Sequence, residues 1–414
     1  MFVLMLSVFT VSIGFGVVLP LLPYLIERLL GGNSLQVARS TGLLTGLYTF
    51  SVFLFAPMWG RISDQYGRRR VLLIGLIGFG STMLTFAFVE SVVAIYAERA
   101  LSGLFAAAVT PVALATVGDL AATEETRARH LTFVSLAGII GFLLGPMLGV
   151  SIVRGASDML PLVNATGALT FPLAVTAALA FLVAIAAAVT IPVTTRNESA
   201  AKRGHPAFGA PRWLAPRLLF LAFIVSAGVG VFEVGLALRG KQDLGLTQYQ
   251  IAMMFTECSL VMFIVQAIVF SPWVKPETTR WYISPAFAVL AVGLFFVPRA
   301  SNFVLMLVVI GAVAASAGIL SPILTYWISS NADKAQGAEL GKQTAAASLG
   351  AALGSAVGGL LFNVAALPGA SFVLMTGLMV LGFLISLSLP KLLVTGKLGQ
   401  PNDRNPPKVT RAAI

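Results

Sequence analysis

The stretch "GRISDQYGRRR", from Gly60 to Arg70, places five charged residues within eleven positions, between two runs that are almost wholly apolar. Gly60 and Gly67 permit a tight turn where a helix ends, because glycine adopts backbone conformations that other residues avoid. We therefore predict a short polar connection between two apolar helices. The nature of those helices follows from the rest of the chain.

The composition of the chain is that of a membrane protein. Of its 414 residues, 57% are hydrophobic and 10% are charged, and the mean hydropathy of +0.92 lies far outside the range of soluble domains. The single cysteine, Cys258, excludes an internal disulfide and a cysteine-based metal cage, and the chain has only two histidines. We therefore expect an integral membrane protein that is not an enzyme and has no metal or cofactor.

Apolar runs near the length of about 20 residues that a spanning helix needs occur twelve times. The predicted spans are Met1 to Ile26, Thr41 to Trp59, Val71 to Val89, Val92 to Val117, Leu131 to Val153, Ala168 to Ile191, Leu214 to Leu238, Ile251 to Phe270, Trp281 to Val297, Phe303 to Trp327, Thr344 to Phe362 and Phe372 to Leu389. An even number of spans puts both termini on one side of the membrane.

The distribution of Lys and Arg indicates which side that is. With the termini inside, the inner loops and the tail hold 20 of the 27 basic residues, the outer loops hold six, and Arg99 lies within the membrane. Basic loops mark the cytoplasmic face, where they meet anionic lipid. We expect both termini to lie in the cytoplasm and the membrane to be the bacterial inner (cell) membrane. We also expect the net charge of +11 to serve contact with lipid rather than binding of nucleic acid.

A basic segment rich in Pro, Gly and Ala divides the chain into two sets of six predicted helices. The predicted organisation is an N-terminal half of residues 1–192, a cytoplasmic linker of residues 193–213, a C-terminal half of residues 214–390, and a cytoplasmic tail of residues 391–414.

A glycine pattern recurs in the two halves. Three glycines at a spacing of four in the fifth predicted helix return 209 residues later in the eleventh, as Gly141, Gly145 and Gly149, then Gly350, Gly354 and Gly358. Small residues at this spacing are common where membrane helices pack closely. Because 209 is also about half the chain, the pattern favours duplicated six-helix halves with a site between them, as in many secondary transporters.

The polar connection resembles the signature loop of the major facilitator superfamily, in which Gly, three residues, Asp, two residues and Gly precede a basic run. Gly60, Asp64, Gly67, Arg68 and Arg69 match that pattern. The resemblance implies an all-α fold of twelve transmembrane helices in two pseudo-symmetric halves. It also implies that this loop is a conformational latch.

Three further segments resemble motifs of the same superfamily. "YAERALSGLFAAA" resembles its Arg-centred motif, with Arg99 and Gly103 in register, and "GDLAATEETRARH" resembles a loop of its tetracycline-efflux branch. "GIIGFLLGPMLGV" is similar to the Gly-Pro motif of its proton antiporters, although Val150 stands where a second Gly is usual. The residues that carry this antiporter-type motif are Gly141, Gly145, Pro146 and Gly149. From the residues alone, the same stripe is equally well explained as ordinary helix packing.

The predicted latch has a physical basis. Asp64 can pair with Arg68 or dock on a helix N-terminus, and in the geometry of the resembled family the docking partner is the eleventh helix near Gly341. A contact that forms in one conformation and breaks in another biases a two-state equilibrium. The alternative is that the arginines of this loop only anchor it to anionic lipid.

Four ionisable residues lie inside predicted spans, at a cost of roughly 2.5 to 3.5 kcal/mol each near the bilayer centre. They are Glu98, Arg99, Glu233 and Glu257. Because adjacent helical residues point about 100° apart, we expect Arg99 to find a partner other than Glu98, and Glu98 to reach the interface. We expect Glu257 to carry the coupling proton, with Arg99 in the same layer, whereas Glu233 fits a site residue and a surface residue equally well.

The first helix carries no acidic residue before Glu27, and acidic residues are usual there in drug and proton antiporters of the resembled family. Candidate residues for an adaptable apolar cavity are Phe15, Tyr48, Phe105, Met254 and its neighbours Met253 and Phe255. Each of these side chains is also compatible with simple packing.

We therefore expect a secondary active transporter that exports small amphipathic compounds in exchange for protons by alternating access. An importer or uniporter of a polar metabolite is the alternative on the same fold, and a channel or receptor is a remote one. The expected partners are a small-molecule substrate, protons and membrane lipids, and the expected state is a monomer.

Overall fold

The computed structural model describes residues 1–31, 33–120, 124–159, 165–191, 213–269, 274, 276–330, 336–364, 367, 369–390 and 393. Within these residues the chain is helical and contains no strand. The predicted linker, apart from Trp213, and the predicted tail, apart from Leu393, lie outside the described residues.

Twelve α-helices occur in the described part of the chain. They are α1 (Phe2–Leu30), α2 (Ser34–Tyr66), α3 (Arg68–Ala87), α4 (Val92–Leu120), α5 (Glu124–Met159), α6 (Ala165–Thr190), α7 (Leu214–Leu238), α8 (Gln248–Val269), α9 (Ile283–Phe296), α10 (Phe303–Ser330), α11 (Gln336–Leu360) and α12 (Ala370–Ser386). A π-helical turn, Arg239–Asp243, follows α7, and 3-10 turns flank α9 at Pro276–Tyr282 and Val297–Arg299.

The helices are long and apolar enough for a membrane. Ten helical segments in the described residues reach the length and hydropathy of a membrane span. The other two are α12, which is only 17 residues long, and α11, which is built largely from Ala, Gly and Ser after a polar first turn. The twelve-helix, all-α membrane fold expected from the apolar runs is thus confirmed.

The polar connection between α2 and α3 is much shorter than predicted. Residues 60–66 continue α2 without a break, and α3 begins at Arg68. Only Gly67 makes the turn, with φ of 95°, a backbone conformation that an L-residue rarely adopts. The prediction of a turn at Gly60 is therefore wrong, since this residue lies within a regular helix, where its carbonyl accepts a hydrogen bond from Ser63 Oγ at 2.7 Å.

Each half of the molecule has its own hydrophobic core. One core is drawn from α1–α6 and includes Phe79 and Val112, and the other is drawn from α7–α12 and includes Phe287 and Trp327. Few residues cross over, chiefly Leu19 and Ala38 into the second core and Ala252 into the first. Packing therefore holds each half together internally and joins the halves through a narrower surface.

The recurring glycines make the same contact in both halves. A Cβ on Gly145 of α5 would lie 2.8 Å from the carbonyl oxygen of Ile13 on α1, and a Cβ on Gly354 of α11 would lie 2.1 Å from that of Ala227 on α7. Since neither distance admits a side chain, each glycine lets two helix backbones touch. The stripe faces another helix, and the sequence repeat is a repeat of helix packing.

Candidate functional site

The two halves meet along a surface that is closed at one end of the bundle. We call this the α1–α2 end, because it carries the connection from α1 to α2, and we call the opposite end, which carries Gly67, the α2–α3 end. At the α1–α2 end Lys241 forms an ion pair with Glu27 and donates a hydrogen bond to the carbonyl oxygen of Pro23 at 2.9 Å. The Lys241 ammonium also lies 4.3 Å from the centre of the Tyr24 ring.

Further polar contacts join the halves at the same end. The Tyr24 hydroxyl donates to the carbonyl oxygen of Leu246 at 3.0 Å, and the side-chain amides of Gln242 and Asn363 both donate to the carbonyl oxygen of Ser34, at 3.1 and 3.3 Å. We call this set the polar lock: Pro23, Tyr24, Glu27, Ser34, Lys241, Gln242, Leu246 and Asn363. These hydrogen bonds and this ion pair join residues of the N-terminal half to residues of the C-terminal half.

Close backbone packing lies beside the polar lock. A Cβ on Gly42 of α2 would lie 2.5 Å from the Cα of Gly359 on α11, and a Cβ on Gly46 would lie 2.7 Å from the carbonyl oxygen of Ala352. No solute can pass between helices whose backbones are in contact. The α1–α2 end is therefore sealed in this structure.

Two partly buried carboxyl groups lie near the Cys258 thiol of the C-terminal half. Glu233 of α7 and Glu257 of α8 are both close enough to the buried Cys258 thiol to interact with it electrostatically. Oε1 of Glu257 points toward Gly311 of α10, where a Cβ would lie 3.7 Å away, and its Oε2 is buried without a hydrogen-bond partner. Neither carboxyl forms an ion pair with any residue that the structure describes. The structure thus places both predicted site residues of this half near Cys258.

Arg99 has the partner that sequence reasoning excluded. Its Nε and Nη2 donate to the two carboxylate oxygens of Glu98 at 2.6 and 2.8 Å, and both side chains are only 2% exposed. The 100° offset applies to the Cα–Cβ bonds, whereas both side chains are long enough to bend back toward each other. The prediction that Glu98 reaches the interface is also wrong, because the residue is buried beside Arg99.

Aromatic rings surround the Arg99 guanidinium. Its central carbon lies 4.4 Å from the centre of the Phe86 ring and 5.7 Å from that of Tyr48. Tyr48 in turn stacks on Phe15, with ring centres 5.2 Å apart, and Phe15 stacks on Phe142 at 5.9 Å. Phe15 is half-buried and packs against the cores of both halves, so that this stack lies where the halves meet.

The other predicted cavity residues lie elsewhere. The Phe105 ring packs on α3, where a Cβ on Gly78 would lie 2.2 Å from it, so Phe105 is separated from the Phe15 stack. Met254 and Phe255 are fully buried within the core of the C-terminal half, and only Met253 is exposed. Of the predicted cavity residues, Phe15 and Tyr48 are the two that the structure brings together.

The signature segment is organised around Arg68. Nη1 of Arg68 lies 2.6 Å from Asp64 Oδ1, and its Nε lies 2.9 Å from Asp119 Oδ2 at the end of α4. Arg69 donates to the carbonyl oxygen of Ala188 on α6. The alternative that these arginines only anchor the chain to lipid is therefore wrong for Arg68 and Arg69, since both bind protein groups.

Asp64 is not docked on α11 in this structure. A Cβ on Gly341 would meet no atom within 4 Å. The Asp64 side chain pairs with Arg68 and is still 61% exposed. Among the described residues, the predicted latch contact between Asp64 and α11 is therefore absent. In the same structure the α1–α2 end is sealed.

Sequence reasoning missed Asp119 and the whole polar lock. Asp119 stands two residues after the end of the predicted apolar run Val92 to Val117, and a polar residue so placed is more often a solvated helix end. Most of the lock residues lie in or beside turns, where polar residues are the rule, whereas Pro23 and Tyr24 lie within α1. The sequence signal for the polar lock is the pair Lys241 and Gln242. Two hydrogen-bond donors next to the end of a span can bond carbonyl groups of another helix.

In the described residues no group of three or more His, Cys, Asp or Glu side chains is placed to hold a metal ion. Within the part of the chain that the structure describes, it combines an end sealed by polar contacts, an aromatic stack between the halves, and two carboxyl groups without cationic partners.

Comparisons with known proteins agree with this architecture. Multidrug resistance protein 2 of Bacillus subtilis (strain 168) is 27% identical over 369 residues, which span 88% of this chain and 89% of that protein. The class H tetracycline resistance protein of Pasteurella multocida is 34% identical over 138 residues, 33% of this chain and 34% of that protein. The crystal structure of a D-xylose-proton symporter superposes with a TM-score of 0.74 at 14% identity, covering 94% of this chain and 97% of that one.

The sequence profile of the Major Facilitator Superfamily matches residues 4–339, which extend from α1 into the first turn of α11 and so reach into both halves. With twelve helices in two halves that repeat one packing pattern, this match shows that the chain belongs to the Major Facilitator Superfamily of transporters.

Proposed function

We propose that the protein exports small amphipathic compounds from the cytoplasm in exchange for protons, by alternating access. The observation that carries the proposal is the pair Glu233 and Glu257, two carboxyl groups that lack cationic partners among the described residues. The names of the two relatives, one a multidrug and one a tetracycline resistance protein, support export.

The aromatic stack supports an amphipathic substrate. Phe15, Tyr48 and Phe142 offer stacked ring faces at the meeting surface of the halves, and flat apolar surfaces of this kind bind aromatic and aliphatic groups without fixed hydrogen bonds. A polar metabolite, the alternative, needs convergent hydrogen-bonding groups. Arg99 does not serve as such a group, because Glu98 already engages it.

We assign the α2–α3 end and both termini to the cytoplasm, because most basic residues outside the spans lie on that side. With this orientation the polar lock closes the protein to the outside, and the structure represents a state that receives substrate from within. The halves of residues 1–192 and 214–390 are then the two units that move, and the membrane is the bacterial inner membrane.

Glu257 carries the coupling proton in this proposal. A carboxylate is costly in the membrane interior, whereas the protonated acid is neutral. If opening to the outside exposes the group to an acidic solution, a proton binds there, and contact with cytoplasmic water releases it in the other state. Each inward proton gains about 2.3 kcal/mol per 100 mV of membrane potential in addition to the pH difference. Glu233, which also lies near Cys258, is the second candidate.

The test is accumulation of ethidium and of tetracycline in everted membrane vesicles with an imposed proton gradient. We expect the wild-type protein to concentrate at least one of them, which a channel cannot do. Glu257→Gln mimics the protonated acid, so it should bind the compound but lose uphill accumulation.

The matched control is Glu90→Gln, which makes the same chemical change at an exposed position at the α1–α2 end and should behave as the wild type. Uphill accumulation by Glu257→Gln with a normal pH dependence would show that the proton binds elsewhere, and Glu233→Gln would then be measured in the same way. Failure of the wild-type protein to concentrate either compound would contradict the proposed export.

A further inference from the structure

The turn between α9 and α10 borders two separate cavities. One is a cleft of about 490 Å³ that lies between this turn, the end of α7 and the connection from α11 to α12. The other is a groove of about 180 Å³ between α9 and α10. Arg299 lines both of them. A single molecule held at Arg299 can therefore occupy the two cavities together.

The groove is apolar and faces outward. Val292, Phe296 and Val308 line it and are 55%, 48% and 66% exposed, although they lie in spans of a membrane protein. Gly293 also lines it and is buried, and a Cβ there would lie 2.6 Å from Val313, so α9 and α10 pack closely beneath the groove. Hydrocarbon is the only solvent available to such a surface in a bilayer.

The length of the groove matches one leaflet. From Val289, its deepest α9 residue, to Arg299 is ten residues, or about 15 Å at the rise of an α-helix. Half of a hydrocarbon core of about 30 Å is the same length. The groove thus runs from the membrane surface to about the bilayer centre, as an acyl chain does.

Arg299 supplies an uncompensated positive charge at the mouth. Its guanidinium stacks on the Phe295 ring at 3.7 Å and donates to the Phe295 carbonyl oxygen at 2.6 Å, and no described carboxylate lies within 4.0 Å of it. The other charges of the cleft cancel, because Arg239 pairs with Asp243 at 2.9 Å. Arg239 also donates to the carbonyl oxygen of Ala300 at 2.7 Å, which fixes the turn.

We propose that this turn binds one anionic phospholipid, with its phosphate at Arg299 in the mouth of the cleft and one acyl chain in the α9–α10 groove. An anionic headgroup fits because the cleft carries a net positive charge. A zwitterionic headgroup would leave its cation without a partner, since Asp243 is already neutralised. The bound lipid would contact the turn that Arg239 holds, and Arg239 begins the π-helical turn that also carries Lys241 and Gln242 of the polar lock.

The test is native mass spectrometry of the delipidated full-length protein, titrated with phosphatidylglycerol or with phosphatidylcholine of the same acyl chains. We expect the wild type to bind its first phosphatidylglycerol more tightly than its first phosphatidylcholine. Arg299→Gln should weaken phosphatidylglycerol binding about fivefold, the ratio that corresponds to the roughly 1 kcal/mol of one basic residue near anionic lipid. Val308→Trp fills the groove and should weaken both lipids.

Two matched controls lie at the same end of the bundle but in the other half. Arg28→Gln removes an exposed positive charge, and Val93→Trp enlarges a residue that is 80% exposed, and neither should change lipid binding. Equal phosphatidylglycerol affinities for Arg299→Gln and the wild type would overturn the proposal. A second pair of results would also overturn it: Val308→Trp binds lipid as the wild type does, and free glycerol phosphate binds only when Arg299 is present. The cleft would then be a site for a soluble anion.

Discussion

Lys241 is expected to hold the α1–α2 end closed, and Lys241→Met tests this with little change in side-chain length. The Lys241 side chain is 9% exposed and makes three contacts across the halves: with Glu27, with the Pro23 carbonyl oxygen and with the Tyr24 ring. When this end opens, the ammonium group enters water and all three contacts are lost. The substitution therefore acts on the closed state alone.

The size of the effect follows from these contacts. Glu27 is 48% exposed, so its ion pair with Lys241 contributes little, as surface pairs usually do. The hydrogen bond from a charged, nearly buried donor and the contact with the Tyr24 ring contribute more. Their loss should destabilise the closed state by about 2 kcal/mol, which lowers the ratio of closed to open molecules about 30-fold.

The measurement is the distance distribution between spin labels placed at the α1–α2 end of the two halves, in the Cys258→Ser background. Glu90→Cys and Ser301→Cys are suitable label sites, because both residues are exposed and lie outside the polar lock. Lys241→Met should move the population toward longer distances, whereas Arg28→Met, which removes an exposed charge at the same end, should not. An unchanged distribution in Lys241→Met would refute the assignment of a closing role.

Three further outcomes are expected. Glu98→Gln leaves the buried Arg99 without its carboxylate and should destabilise the protein by about 3 to 5 kcal/mol, seen as a lower thermal midpoint in detergent; an unchanged midpoint would contradict a buried ion pair. Gly145→Leu forces a branched side chain into the backbone of α1, so it should abolish transport or make the protein leaky, and normal coupled transport would show that this contact is dispensable. Asp64→Asn removes one of the two carboxylates on Arg68 and should leave folding intact while slowing transport through shifted populations; transport at the wild-type rate would assign Asp64 no role in switching.

The sequence predicted the features that depend on spacing along one helix. Twelve apolar runs gave twelve helices, and the spacing of Gly141, Gly145 and Gly149 gave a stripe that packs on α1. Such features follow from the period of the helix and the length of a bilayer, which are the same in every membrane protein.

Features that depend on the arrangement of several helices were not predictable in this way. The distance between Lys241 and Glu27 is set by how α1 and α7 meet, and nothing in either local sequence records it. The prediction of a partner for Arg99 was wrong for a different reason. The direction of a Cα–Cβ bond does not determine where the end of a long side chain lies. In the membrane interior the cost of an unpaired charge is high enough to impose a bent conformation on both partners.

The contacts that join the halves differ from those within each half in a way that suits alternating access. Glycines bring backbones together in both places, as Gly145 does on α1 within one half and as Gly42 does on Gly359 between the halves. Within a half the glycine contact is continuous with a hydrophobic core, so its separation would expose apolar side chains to water. Between the halves it is continuous with the polar lock, whose hydrogen bonds can be exchanged for bonds to water at a small net cost. We therefore expect the same close helix packing to persist inside each half and to be reversible between the halves, according to the polarity of the residues around it.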